Sequence, residues 1–137
     1  MNINDIKTEA PTQGDKLENI FGRQLELELK YDHIEQANGF NNLGLGVDLD
    51  NPAAQWYIKD AAYRVIEELS EATNCLKNKP WKTTHVPTDQ PHFYEELADA
   101  FHFFIRLCLI VGLDAESLYK FYFKKSEVNK FRQESDY

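Results

Sequence analysis

Apolar residues recur at helical spacing in four segments of the chain, and no segment alternates convincingly as a strand would. The segments with this pattern are residues 16–37, 54–77, 93–111 and 114–129. Each apolar stripe has to be buried against another, so the pattern predicts an all-α fold, a bundle of about four helices. The glycine-rich segment 39–53 predicts a loop, with a brief strand as an alternative for its middle.

Capping residues mark the ends of these predicted helices. Asp15 and Asp114 precede the first and fourth helices, where an aspartate accepts hydrogen bonds from backbone N–H groups. Gly112 follows the third helix, as is typical of a helix end. Residues 1–15 are polar and show no sustained period, so we expect a flexible N-terminal arm. Residues 16–137 are then expected to form one all-α domain.

Composition narrows the classes of partner. The 137 residues carry a formal net charge of −8 and are 42% hydrophobic, enough for the core of one domain. Nucleic acids and anionic membranes normally meet basic surfaces, so this charge argues against both. No apolar stretch reaches about 18 residues and no secretory pattern begins the chain, so we expect a cytoplasmic protein. Cys75 and Cys108 lie in apolar helical patterns and are expected to be reduced core residues.

Carboxylates interrupt the second and third helices at matching spacing. Glu68 and Glu71 are three residues apart in VIEELSEA, and Glu96 and Asp99 repeat this spacing in FYEELADAFHFF. Each pair therefore lies on one side of its helix, beside the apolar stripe. If the stripes pack together, the carboxylates converge and a divalent cation relieves their repulsion, with Mg²⁺ favoured by all-oxygen ligands and Mn²⁺ able to substitute. The alternative is a solvated acidic face in which Arg64 pairs with Glu68.

The last predicted helix carries candidate phosphate ligands. Lys125, Asn129 and Arg132 lie at i, i+4 and i+7, which places two cations and an amide on one helical face. Lys82, which follows Trp81 in the connector between the second and third helices, is a further candidate. The alternative is a basic helix end that complements its own dipole. Together with the carboxylates, these cations predict a site for a metal-bound polyphosphate.

Four segments in chain order, EELSE, PWK, EELADAFHF and K-x3-N-x2-RQ-x3-Y, resemble the successive motifs of the all-α nucleoside triphosphate pyrophosphatases. The likeness covers residues 17–137. It is greatest for the branch of dimeric dUTPases and phage dCTPase/dUTPase proteins, which implies a MazG/dimeric-dUTPase-like fold and favours a phage-encoded protein of the host cytoplasm. The resemblance implies Mg²⁺-dependent hydrolysis of a deoxynucleoside triphosphate to the monophosphate and pyrophosphate. It also implies a homodimer or homotetramer.

The resemblance also implies roles for particular residues. The metal ligands would be Glu68, Glu71, Glu96 and Asp99, and among them we select Glu68 as the catalytic base. The phosphate ligands would be Lys125, Asn129 and Arg132, and Lys82 stays a further candidate from its position in the connector. The tail departs from the usual pattern of the branch at two positions, since Ser126 stands in place of an asparagine and Asp136 in place of a glycine. We therefore expect the closing segment to be less ordered over the substrate.

The base-binding residues are expected on the first helix. Its segment QLELE is similar to Q-x-x-L-N of dimeric dUTPases, whose glutamine and asparagine contact uracil. Gln24 matches, whereas Glu28 replaces the asparagine, and an ionised glutamate only accepts hydrogen bonds, which favours a donor-rich base. The resemblance as a whole ranks dUTP first as substrate, dCTP next and dGTP third. Trp81 is expected either to stack on the base or to close the core.

Two further expectations concern partners. The chain has more large apolar side chains than a small bundle readily buries, which predicts self-association. Four of these side chains are Phe103, Phe121, Tyr122 and Phe123. The alternative function is a non-catalytic interaction module whose acidic helices bind a basic partner, or a relative that binds nucleotide without cleaving it.

Overall fold

The computed structural model describes residues 2–135, and four long α-helices account for most of them. They are α1 (Lys16–Ala37), α2 (Pro52–Asn74), α3 (Gln90–Ile110) and α4 (Ala115–Glu134). Residues 2–135 contain no strand, so the predicted all-α bundle is confirmed and segment 39–51 is a loop. Within the same residues no helix combines the length and the apolar character needed to cross a bilayer. Asp136 and the tyrosine that ends the tail motif lie outside the described residues.

Two of the helix starts follow the predicted caps. Asp15 accepts a hydrogen bond from the backbone N–H of Glu18 at 2.9 Å, and Asp114 accepts one from that of Ser117 at 2.8 Å. Gly112 follows α3 with a φ of 84°, in the left-handed region that favours glycine. These local signals therefore place both ends of the α3–α4 turn correctly.

The boundaries of α2 and α3 differ from the prediction. α2 begins behind the cap Asn51 with Pro52 as its first residue, and it ends at Asn74 rather than at residue 77. α3 begins behind the cap Asp89 with Pro91 in its first turn. Proline is tolerated in a first turn because the N–H that it lacks would have no intrahelical partner there. A proline that suggests a loop in the sequence is thus compatible with the start of a helix.

α2 and α3 form the most extensive helix pair, and α1 lies against α3. The buried residues of α2 are all alanines, at positions 54, 61 and 72, and Ala100 is buried on α3. Such small side chains let two helix backbones approach closely. The close approach of α2 and α3 brings the acidic segments of the two helices together.

The apolar core lies at the other end of α3, where α1, α3 and the start of α4 meet. Phe21, Ile105, Cys108 and Ala115 form this buried cluster. Cys108 is therefore a core residue, as predicted. Cys75 is a free thiol as well, but it is only half-buried and caps the end of α2, so its predicted core position is wrong.

Many large apolar side chains remain exposed in the single chain. Leu97 and Phe101 belong to the predicted core stripe of α3, yet they are 40% and 43% exposed. From Tyr119 to the end of α4 every described residue is exposed. The exposed aromatic residues of this part of α4 are Tyr119, Phe121, Tyr122, Phe123 and Phe131. Packing within one chain therefore leaves these aromatic residues accessible to solvent.

The N-terminal segment has local structure within the predicted arm. Residues Ile3–Asp5 form a single 3₁₀ turn that lies against α3. Ile3, Pro91 and His92 line a small cavity of about 160 Å³ between this turn and the start of the helix. His92 is one turn before Glu96, so the segment packs near one of the acidic pairs.

Candidate metal centre

α2 and α3 bring together three of the four predicted metal ligands. One carboxylate oxygen from each of Glu68, Glu96 and Asp99 lies within 4.8 Å of the others. Glu71 is exposed and does not belong to this group of three. Its negative charge is nevertheless close enough to help raise the pKa values of all three carboxyl groups. Carboxylate oxygens from three residues are a donor set that suits Mg²⁺ or Mn²⁺. These three residues form the acidic cluster of the protein.

Glu96 provides the clearest indication that the acidic cluster accommodates a ligand. Its side chain is buried, and its oxygen Oε2 has no hydrogen-bond donor among residues 2–135. Oε1 lies 3.4 Å from Nε2 of His92. The neighbouring carboxylates of Glu68 and Glu71 cannot donate a hydrogen bond when they are ionised. A buried carboxylate oxygen without a donor is unfavourable, and a bound cation would satisfy it.

The electrostatics of the acidic cluster favour protons or a cation. Burial, followed by the charge of Glu71, raises the pKa of Glu68 to about 7. Burial, followed by the carboxyl group of Glu71 beside it, raises the pKa of Glu96. Burial also raises the pKa of Asp99, although the attraction of His102 opposes this shift. A divalent cation would displace these protons, so metal binding by the cluster should be tighter at higher pH.

Arg64 does not form the alternative pair with Glu68. Nη1 of Arg64 lies 2.9 Å from Oε2 of Glu67, and Nη2 lies 3.7 Å from Oδ1 of Asp60. Arg64 is thus engaged on the exposed face of α2, while Glu68 contributes its oxygen to the acidic cluster. The described residues therefore provide no guanidinium partner for Glu68 from its own helix.

The candidate phosphate ligands lie on other elements. Lys125, Asn129 and Arg132 share the exposed part of α4, a helix that packs against α1 rather than along α2. Lys82 and Trp81 are exposed in the connector, where the ammonium of Lys79 lies 5.5 Å from the centre of the indole ring. Trp81 is 76% exposed, so it does not close the core of the single chain.

The candidate base-binding residues belong to a buried polar network that the sequence did not predict. Nε2 of Gln24 donates to Oε1 of Glu28 at 3.0 Å, and Nε of Arg106 donates to Oε2 of Glu28 at 3.1 Å. Nη2 of Arg106 also donates to Glu35 at 2.8 Å, and the Asn42 amide donates to the other oxygen of Glu35 at 2.7 Å. The network connects α1, α3 and the loop between α1 and α2. Both oxygens of Glu28 are therefore hydrogen-bonded within the chain.

Arg106 is the central charge of this network. Burial alone would lower the pKa of Arg106, but the carboxylates of Glu28 and Glu35 outweigh it and raise that pKa. Tyr57 of α2 lies beside the guanidinium, and burial is the main cause of its raised pKa. The sequence feature that could have predicted this network is the arginine inside the apolar run FHFFIRLCLI. A guanidinium buried in such a run requires acidic partners. The sequence did not indicate which carboxylates these would be.

Comparison with known proteins finds similarity to two phage proteins over part of the chain. The chain is 31% identical to the dCTP pyrophosphatase of Enterobacteria phage LZ5 over 97 residues, which are 59% of this chain and 56% of that protein. It is also 31% identical to the dCTP pyrophosphatase of Enterobacteria phage T4 over 70 residues, 43% of this chain and 41% of that protein. The chain thus spans about half the length of the curated relatives that it matches. No protein-family model and no solved structure matches it. The similarity supports a relationship to nucleoside triphosphate pyrophosphatases.

Proposed function

We propose that this protein is a Mg²⁺-dependent deoxynucleoside triphosphate pyrophosphatase, which converts its substrate to the monophosphate and pyrophosphate. The observation that carries the proposal is the acidic cluster with the unpaired, buried oxygen of Glu96. The similarity to two proteins named dCTP pyrophosphatase supports the same reaction. Three convergent carboxylates would repel an unaccompanied triphosphate, so the substrate should enter as a metal complex.

The acidic cluster supplies the groups that this hydrolysis requires. The oxygen of water forms a bond to the α-phosphorus of the substrate. The bond between this phosphorus and the oxygen that bridges it to the β-phosphorus breaks, and pyrophosphate leaves. Glu68, Glu96 and Asp99 would hold Mg²⁺, with Glu71 beside them, and the bound ion would neutralise phosphate charge and acidify water. Glu68 is proposed as the base that accepts the proton of the attacking water, because its carboxylate lies in the acidic cluster beside the ion that would acidify this water.

The substrate phosphates are proposed to contact Lys125, Asn129 and Arg132, with Lys82 as an additional cation. Ammonium and guanidinium groups form charge-assisted hydrogen bonds to phosphate oxygens. The exposed positions of all four residues are compatible with this role.

The preferred base is proposed to be cytosine, ahead of uracil and guanine. The resemblance of the motifs ranks dUTP first, but both relatives are named for dCTP. Glu28 lies where the dUTPase pattern has an asparagine, and its two oxygens accept hydrogen bonds from Gln24 and Arg106, so it presents acceptors only. These two observations support dCTP as the first substrate to test.

A homodimer or homotetramer is proposed as the functional assembly. Support comes from the aromatic side chains of α4, of which Tyr122 and Phe131 are 68% and 69% exposed. Large exposed apolar surface usually marks an interface. A second copy of the chain is the simplest partner, because homo-oligomers with closed symmetry are common.

The direct test measures pyrophosphate release from dCTP, dUTP and dGTP with Mg²⁺. We expect release from at least one of these nucleotides and none in excess EDTA. The Glu96→Gln variant removes a cluster charge and should be inactive although folded. A non-catalytic interaction module predicts no release from any nucleotide, and that result would overturn the proposal.

A further inference from the structure

The network around Glu28 indicates how the base would be distinguished. We propose that Arg106 is a specificity-determining positioning residue, which acts through Glu28 to orient the side-chain amide of Gln24 toward the base. This inference rests on the proposed function, because it concerns the base-binding part of the same site. Neither a motif nor the similarity to the phage proteins assigns a role to Arg106.

The orientation of the Gln24 amide follows from the chemistry of its partner. An amide can present either its NH₂ group or its carbonyl oxygen, and the two ends are nearly equal in shape. An ionised carboxylate can only accept, so Gln24 must turn its NH₂ group toward Oε1 of Glu28, 3.0 Å away. The carbonyl oxygen of Gln24 then remains for a ligand. Gln24 as a whole is buried, so an oxygen without a donor at this position would be unfavourable unless a ligand supplies one.

Arg106 holds the carboxylate of Glu28 in position. Glu28 is only 4% exposed, so its two oxygens depend on donors within the chain. Nε of Arg106 donates to Oε2 of Glu28 at 3.1 Å, which leaves Oε1 directed at the amide of Gln24. Without this bond the carboxylate could rotate away from Gln24, which would release the amide to turn. The second bond of Arg106, to Glu35, holds the guanidinium in place.

The resulting orientation selects a base with a donor. The carbonyl oxygen of Gln24 can accept from the exocyclic amino group of cytosine, whereas uracil has a carbonyl oxygen at that position. Two carbonyl oxygens repel, and a base that lacks the required donor leaves a polar group unpaired. The relay from Arg106 through Glu28 to Gln24 therefore favours dCTP over dUTP.

The test compares kcat/KM for dCTP and dUTP in three variants. Arg106→Gln should lower the dCTP-to-dUTP ratio by about tenfold, the loss expected for one hydrogen bond of moderate strength. Glu28→Gln should reverse the preference toward dUTP. Its introduced amide would accept from Arg106 and donate to Gln24, which would turn the NH₂ group of Gln24 toward the base. The matched control Arg23→Gln removes an exposed guanidinium from α1 and should leave the ratio unchanged.

A second measurement separates this inference from the proposed reaction. Affinities for dCMP and dUMP, measured by NMR titration without metal, should follow the same order in the wild type and the variants. If the wild type releases no pyrophosphate but prefers dCMP, the proposed reaction fails and the inference stands. If Arg106→Gln lowers kcat/KM for both nucleotides equally, Arg106 has only a structural role and the inference is overturned.

Glu28→Gln keeps the test decisive if Arg106→Gln does not fold. In Glu28→Gln, Arg106 retains its partner Glu35, so this variant is expected to fold. An unchanged preference between dCMP and dUMP in Glu28→Gln would overturn the inference. Failure of the wild type to bind either monophosphate would overturn it together with the base assignment.

Discussion

The carboxylates of Glu68 on α2 and Glu96 on α3 approach each other within 4.8 Å, together with that of Asp99. They lie in a bundle whose buried α2 residues are alanines, which allow the two helices to approach closely. Mutual repulsion at such distances disfavours three ionised groups unless protons or a cation compensate their charge.

Removal of a cluster carboxylate should separate activity from folding. In Asp99→Asn we expect pyrophosphate release to fall at least about 100-fold, because the amide is a weaker ligand for a hard cation. The helical content measured by circular dichroism should be unchanged, and the metal-free variant should be slightly more stable because one repelling charge is lost. Asp60→Asn, an exposed position on α2, is the matched control and should retain activity. Full activity of Asp99→Asn would contradict the metal assignment.

The metal-free protein should lose stability as pH rises from about 4.5 to about 7. The pKa of Glu68 is raised from 4.5 to about 7 on folding, so the folded state binds this proton more tightly than the unfolded state. The contribution of Glu68 to stability is therefore complete below its ordinary pKa and is lost as pH rises through the folded value. Melting temperatures in EDTA should show this decline, and Glu68→Gln should reduce it.

The stabilisation of the protein by Mg²⁺ should increase with pH, whereas the stability of the metal-free protein should decrease. The ion competes with the protons of the acidic cluster, so the increase in melting temperature on adding Mg²⁺ should be larger at pH 8 than at pH 5.5. An equal increase at both pH values, or none, would indicate that the cluster does not bind the ion.

The Arg106 network should contribute strongly to stability. Arg106→Leu leaves the carboxylates of Glu28 and Glu35 without their shared cation, and loss of one partner of a buried ion pair typically costs about 3–5 kcal/mol. Urea denaturation should therefore give a large decrease in the free energy of unfolding. Arg23→Leu removes an exposed arginine and should change this free energy by about 0.5 kcal/mol or less. Equal effects of the two variants would show that the network is not stabilising.

Self-association should depend on the aromatic residues of α4. Light scattering at micromolar concentration should give at least twice the chain mass of 16.0 kDa. Tyr122→Lys and Phe131→Lys should shift the protein toward the monomer, because a charge in an apolar interface is unfavourable. Glu127→Lys introduces the same charge at a polar position of α4 and serves as the control. A monomeric wild type would refute the proposed assembly.

The sequence by itself determined the features that depend on neighbours along the chain. The four helices follow from periodic apolar positions, and the caps Asp15 and Asp114 act on N–H groups three residues away. The spacing between Glu68 and Glu71 likewise places both side chains on one side of a helix. These properties are local, so they could be predicted without knowledge of the packing.

Tertiary structure decided the features that depend on how the helices are rotated and paired. The rotation of α2 against α3 places Glu68 in the acidic cluster and leaves Glu71 exposed, although their spacing alone does not distinguish them. The pairing of Arg106 with Glu28 joins residues 78 positions apart. Hydrophobic periodicity specifies which face of a helix is apolar, but contacts between distant segments depend on side-chain volumes and charges across the whole bundle.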